Sequence, residues 1–529
     1  MSVPDLSTVA ESSGYRKTSY HEDVLDFLAR LAPRTDLMSV QSMGASGLGQ
    51  DMPVVVLSAD RAFTPEAARA AAKPIVLVIA NIHAGEVEGK EACLMLARDA
   101  TLGSLRRLIE RATVVLIPDY NPDGNDRIDP KNRALDLVHL DGQVGPEGGV
   151  GTRYTGKGIN LNRDYMKQEA VETRHLAALM ARWQPHLVAD CHTTDGSVHG
   201  YELTYDTSRN LASCPPGPAL FVRDTLLPAV SASLREKTGF RTWFYGNFKD
   251  GNDPTKGWES YPPLPRYGSH YRGLLGCMDV LLEAYSYVDF KTRCDVMYAI
   301  LVELIDQVGA RGSDVMRIVA EGHAALRRKG GAQVGIDYGT AVRDASGKVS
   351  FRHEGRFLED HDIEAWDLPS QKARRVPGLE RAIYRGPFFG RYEPTASVAA
   401  PFAYVVPAAR KRVIGRLADH RLETCVAASL GAKVPPSLRS YRILGREPTS
   451  SPDVGDHVMT ETVLRVEAFD ERYVIAPDDV IVRADQPWGR LATYLLEPES
   501  DDGLARWGYF DDLAVGDVFP IRRIEVGPD

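Results

Sequence analysis

Cysteine is scarce in this chain: six in 529 residues (Cys93, Cys191, Cys214, Cys277, Cys294 and Cys425), with no C-x-x-C pair. That spacing suggests neither a disulfide framework nor a thiolate metal site. No run approaches the roughly 18 apolar residues of a membrane span, and the N-terminus lacks a basic-then-apolar export signal. A soluble cytoplasmic protein with no membrane partner is therefore expected. Positive charge is also short, with 63 Lys and Arg against 72 Asp and Glu and no basic run of five or more. Such a balance argues against nucleic acid as a partner. Low-complexity tracts and internal repeats are missing as well.

What is present is ordinary globular composition, 43% apolar and 26% charged, in a chain long enough for several domains. The pattern starts with a helix over residues 20–31, where Val24, Phe27, Leu28 and Leu31 share one face. Residues 52–58 read as a strand. Thr64-Pro65 reads as the N-cap and first turn of a short helix over 65–72. Apolar runs at 75–80, 113–117, 186–192 and 278–282 read as buried strands. Helical stretches fall between them, at 86–100, 105–109, 176–183 and 218–234, and others come after them at 296–308 and 315–326. Strand, helix, strand is the pattern of an open α/β sheet, which places ligands at the carboxyl ends of its strands. The Gly-rich residues 125–162 form a long loop of the kind that is usually functional. Residues 241–271, dense in Gly, Pro and aromatics, suit a lid or pocket wall. Beyond residue 400 a strand over 402–406, a helix over 408–420 and short strands at 462–466, 473–476, 480–483 and 493–496 predict a small β-rich domain. The expected division is an N-terminal segment and helix (1–49), a catalytic domain (50–330), a connecting region (331–400) and a C-terminal β-rich domain (401–529). The last could also support a homo-oligomer.

The chemistry sits at the strand ends. The run 75–80 ends in Asn-Ile-His-Ala-Gly-Glu, which offers His83 and Glu86. Residues 113–117 lead to Asn121-Pro-Asp-Gly, the third strand ends at His192, and the fourth at Glu283. Two His and one Glu are the ligand set of catalytic zinc sites that keep a fourth position for water. A further carboxylate at the next strand end, Glu283, can serve as a general base.

In these features the sequence resembles the zinc metallocarboxypeptidases, the M14 family of carboxypeptidase A. The matching motifs are I-H-A-G-E (82–86), N-P-D-G (121–124), N-L-N-R-D (160–164), D-C-H (190–192) and the strand ending in Glu283. The likeness covers residues 50–310 and implies an α/β fold, a mixed open sheet with helices on both faces. It implies one Zn²⁺ per chain held by His83, Glu86 and His192, with Glu283 as general base. It implies that Asn162 and Arg163 bind the substrate's terminal carboxylate, a role suited to a guanidinium fork. Arg133 falls where the family places an arginine that polarises the scissile carbonyl. Tyr261, Tyr267 and Tyr271 compete for the family's pocket tyrosine. One departure is Asn160, where many members carry an Asp that supports a zinc-bound His. The expected reaction is release of a C-terminal amino acid from a peptide. An N-acyl amino acid deacylase with the same chemistry is the nearest alternative, and a zinc-retaining pseudoenzyme acting as a binding module is another. Arg266 and Arg272, in the lid, are candidates for favouring acidic side chains.

Overall fold

Four apolar runs form the middle of one eight-stranded sheet in the computed structural model, which describes residues 6–326, 348–356, 359–366, 381–430, 438–452 and 458–525. In chain order the strands are β1 (Met38–Ala45), β2 (Asp51–Leu57), β3 (Ile75–Ile79), β4 (Thr113–Ile117), β5 (Leu187–Thr194), β6 (Leu203–Asp206), β7 (Thr242–Phe244) and β8 (Met278–Tyr285). Their spatial order is β1-β2-β4-β3-β5-β8-β6-β7. The central strands β4, β3, β5 and β8 run parallel, while β1, β2 and β6 pair antiparallel, so the sheet is mixed. β1 pairs with β2 across residue 49, so the sheet begins ahead of the expected start of the catalytic domain.

Side chains alternate along each central strand, and each face feeds its own core. Val76, Val78, Val114, Leu116, Ala189, Val280 and Leu282 pack with the helices α1 (His21–Leu31), α2 (Glu88–Thr101) and α4 (Phe290–Ala310). Ile75, Leu77, Ile79, Val115, Ile117 and Val188 pack on the other side with α3 (Val171–Trp183). That second core also takes in Tyr404, Val413, Leu417, Leu491, Tyr494, Leu495 and Phe519 from beyond residue 400.

The C-terminal part carries a six-stranded sheet, as its turn-rich pattern implies. Two of the short strands expected there are absent. Residues 473–476 form no strand, and Ala476 N–H instead donates to Asp479 Oδ2 at 3.0 Å. The run at 493–496 belongs to a helix, Gly489–Leu496, buried on every side. A short apolar run carries no period, and burial all round suits either element. Part of the expected connecting region, residues 331–347 included, lies outside the described residues. One strand from it, Arg381–Phe389, pairs with the short strand Trp258–Glu259 of the expected lid. Arg209 also donates to the Gly390 carbonyl.

A histidine sits at the seam between the two parts. His420 lies just past the helix Lys411–Asp419 and is fully buried. Its Nδ1 lies 2.9 Å from the Tyr271 hydroxyl and 3.1 Å from Gln168 Nε2, and Nε2 lies 3.1 Å from the Met166 carbonyl oxygen. Burial pushes this imidazole down to about 3. A histidine whose pKa falls on folding adds stability above its unfolded value near 6.5, and that stability is lost as pH drops below it. The wild type should therefore lose up to about 1.4 kcal/mol per pH unit below 6.5 that His420→Asn does not lose. Urea unfolding of both proteins at pH 7.5, 6 and 5 checks this; parallel losses would remove His420 from the account.

Candidate active site

β3 stops because Asn81 takes the left-handed conformation, φ +65°, which asparagine tolerates better than most residues. Asn81 is held by its own amide, which donates to Asp119 Oδ1 at 2.7 Å and Asn125 Oδ1 at 3.0 Å. The chain then presents His83 and Glu86 just ahead of α2. On the adjacent strand β5, His192 arrives at the same level. His83, Glu86 and His192 are buried, and their donor atoms lie within 4.8 Å of one another. Among the described residues no other group of His, Cys, Asp and Glu does this.

Both rings turn their Nδ1 atoms to Glu86, with the ring planes inclined at 64°. His83 Nδ1 lies 3.1 Å from Glu86 Oε1, and His192 Nδ1 lies 3.0 Å from Glu86 Oε2. Their outer nitrogens face oxygen: His83 Nε2 is 3.2 Å from Asn160 Oδ1, and His192 Nε2 is 3.3 Å from Asp190 Oδ1. At His83 an outer N–H given to Asn160 leaves the inner nitrogen as a lone pair, the arrangement that orients metal-bound histidines, whereas His192 meets Asp190 as an ion-pair neighbour without a hydrogen bond's geometry. Two imidazole nitrogens and a carboxylate converging in a buried pocket fit a zinc ion. Asn160 takes the supporting place of the acid with its amide oxygen, which also accepts from Asn162 N–H at 3.1 Å.

Charge is distributed unevenly over this cluster. Burial opposes the Glu86 charge, but His83, His192 and Arg133 outweigh it and hold the carboxyl well below its usual range. Burial and the Arg153 guanidinium push His83 down to about 3. For His192 burial works downward, yet Asp190 and Glu86 prevail and hold it at about 10. Arg272, fully buried, fixes Asp190 through Nη2 at 2.8 Å and also binds Asp279. Arg272 is thus a brace for the histidine's partner and not a reader of substrate charge.

Glu283 and His192 are register partners on the parallel strands β8 and β5, so their side chains leave the same face. This is the face whose core is shared with the C-terminal part. Glu283 is half-buried; burial raises its carboxyl and His192 draws it back, with a net shift upward. A carboxyl shifted towards neutrality is suited to accepting and returning a proton.

Two arginines reach the cluster. Arg133 Nη1 and Arg153 Nη1 each donate to Glu86 Oε1 at 3.2 Å. Arg133 also donates to Gln143 Oε1 at 2.8 Å and to the Thr193 carbonyl at 3.3 Å, and it faces Asp195. Gly85 makes room for it: a Cβ there would come within 2.7 Å of Arg133 Cδ. The sequence singles out Arg133 but not Arg153, whose only signal is its place in the Gly-rich loop ten residues before Arg163.

The expected carboxylate-binding residues form a second group. Gly268 N–H donates to Asn162 Oδ1 at 3.0 Å, and the Arg163 guanidinium lies 4.6 Å from the Tyr267 ring centre. Tyr267 packs edge-on against Tyr261, and Tyr261 against Tyr245, each at 5.4 Å. Tyr245, which no sequence motif marks, feels the charges of Glu283, Asp195 and Arg163 and so joins the two groups. Tyr271 is turned elsewhere: its hydroxyl is taken up by His420 and Gln168 in the packed core. That placement removes it as the pocket tyrosine and leaves Tyr261, Tyr267 and Tyr245.

Residues 22–219 match the family model described as zinc carboxypeptidase, Peptidase_M14. Carboxypeptidase 2 of Trichophyton rubrum is 21% identical over 97% of this chain and 88% of its own length. Carboxypeptidase D of Mus musculus is 29% identical over 28% of this chain and 12% of its own length. Among solved structures, a metallo-carboxypeptidase from Burkholderia cenocepacia superposes with a TM-score of 0.39 at 18% identity, covering 55% of this chain and 69% of that one. With the motifs in family order and the His-Glu-His cluster assembled at the strand ends, residues 22–219 carry a zinc carboxypeptidase domain of the M14 type.

Proposed function

We propose that the protein is a zinc-dependent carboxypeptidase that releases the C-terminal residue of a peptide, with one zinc held by His83, Glu86 and His192. The observation that carries this reading is the pairing of the buried His-Glu-His cluster with Glu283 on the neighbouring strand, in register with His192. When bound, the metal supplies Lewis acidity to the scissile carbonyl and to the attacking water. Glu283 takes the proton from that water and returns it to the leaving amine nitrogen. Arg153 and Arg133 stand beside Glu86, where a guanidinium N–H can hold the developing oxyanion. Asn162 and Arg163 hold the substrate's free carboxylate, which fixes the last peptide bond in front of Glu283. Tyr261, Tyr267 and Tyr245 wall the side of the cleft between these groups.

The test is a panel of acylated dipeptides with free and amidated C-termini, together with N-acyl amino acids, assayed with and without a chelator. Release from free-acid peptides only, abolished by the chelator and restored by zinc, is the expected result. Turnover of the N-acyl amino acids with none of the peptides would replace the reading by deacylation. Hydrolysis of nothing by fully metallated protein would sink it.

A further inference from the structure

Arg266, expected to lie in the lid, is where the C-terminal part of the chain grips the carboxylate side of the site. Its side chain is only 3% exposed. Asp502 accepts twice from it, from Nε at 3.0 Å and from the backbone N–H at 2.5 Å. Glu461 Oε1 accepts from Nη1 at 2.7 Å, and the Asp501 carbonyl from Nη2 at 3.4 Å. The Trp507 ring centre lies 4.6 Å from the guanidinium, and its indole N–H donates to Asp502 Oδ1 at 3.0 Å. Asp502 and Glu461 are themselves buried. Arg506, paired with the other Glu461 oxygen, balances the second negative charge.

A guanidinium fixed by two carboxylates, a carbonyl and a ring has no freedom to rotate, and its backbone is fixed with it. The next two residues are those that meet the expected clamp. Tyr267 presents its ring to Arg163, and Gly268 N–H binds the Asn162 side chain. Three consecutive residues, 266 to 268, therefore run from a buried ion cluster in the C-terminal part to both carboxylate-binding candidates. A displacement of about 1 Å in a positioning group can cost up to 10²-fold in rate.

We propose that Asp502, with Glu461, is a positioning residue for the substrate-carboxylate clamp, acting through Arg266 on Tyr267, Gly268, Asn162 and Arg163. The inference rests on the carboxypeptidase reading of Asn162 and Arg163. It predicts a defect confined to substrate binding, because neither acid lies near the proton-transfer and metal groups in the chain of contacts.

The experiment compares zinc-loaded, full-length wild type with Asp502→Asn, Asp502→Glu and Glu461→Gln, using hippuryl dipeptides with apolar, basic and acidic C-terminal residues. Asp502→Asn should raise KM about tenfold with kcat within about twofold and zinc content unchanged, and Asp502→Glu should recover most of the loss. Glu461→Gln, which leaves Asp502 on Arg266, should show the same pattern more weakly and stands in if Asp502→Asn does not fold. An unmoved KM in folded variants, or a fall in kcat or zinc content without a KM effect, overturns the proposal. If the wild type itself releases no C-terminal residue, the carboxypeptidase reading fails and takes this one with it. An active wild type with unmoved variants sinks the clamp alone.

Discussion

Replacing Glu283 by glutamine should cut peptide turnover by about 10²–10⁴-fold while the protein keeps its metal and its fold. The amide is nearly isosteric, so the packing of β8 against β5 and β6 is retained. The ability to take a proton from water and to hand it on is lost. Glu283 stands in register with His192, yet its oxygens are not among the atoms that converge in the ligand cluster. Zinc content measured beside kcat separates the two roles. A variant that loses zinc along with activity would make Glu283 a ligand, and one that loses neither would remove it from the reaction.

The second large effect is expected at Glu86. Its two oxygens meet both histidines, both arginines and the Thr193 N–H, so one side chain serves five partners. Glu86→Gln removes the negative charge that these cations surround and leaves two arginines beside a neutral amide. Breaking a buried ion pair from one side typically costs about 3–5 kcal/mol. Zinc affinity should fall by more than the roughly 10–100-fold that losing an outer partner costs. The apo-protein's unfolding free energy and a zinc titration check the two parts independently. Unchanged stability would show that the arginines find other partners. Unchanged zinc affinity would show that the histidines alone hold the ion.

Much of this site was legible because its ligands end buried parallel strands. The runs 75–80, 113–117, 186–192 and 278–282 are apolar enough to be read without partners, and each lies within a few residues of an observed strand. A polar side chain at the end of such a strand must leave the core, so the sequence alone places His83, Glu86, His192 and Glu283 at one edge. The arginines were less readable. Arg133 and Arg153 lie in a loop held by isolated bridges such as Asp129 with Val150, and nothing periodic says that both turn inward. Arg266 and Arg272 were misread for a related reason. Their partners Asp502, Glu461, Asp190 and Asp279 lie between seven and 236 residues away, and no local pattern encodes those pairs. Thr493 to Leu496 failed differently, as four apolar-rich residues too few to carry a period.

The core that β3 shares with Tyr404, Leu491, Tyr494 and Phe519 bears on how such a chain can be recombined. An appended domain that meets its neighbour through a linker can be exchanged, shuffled or lost without harm to the enzyme beside it. Here the part beyond residue 400 supplies apolar surface to the face of the sheet from which His192 and Glu283 project. The two parts share one core, and a transplant of either would have to carry the matching side of that core with it.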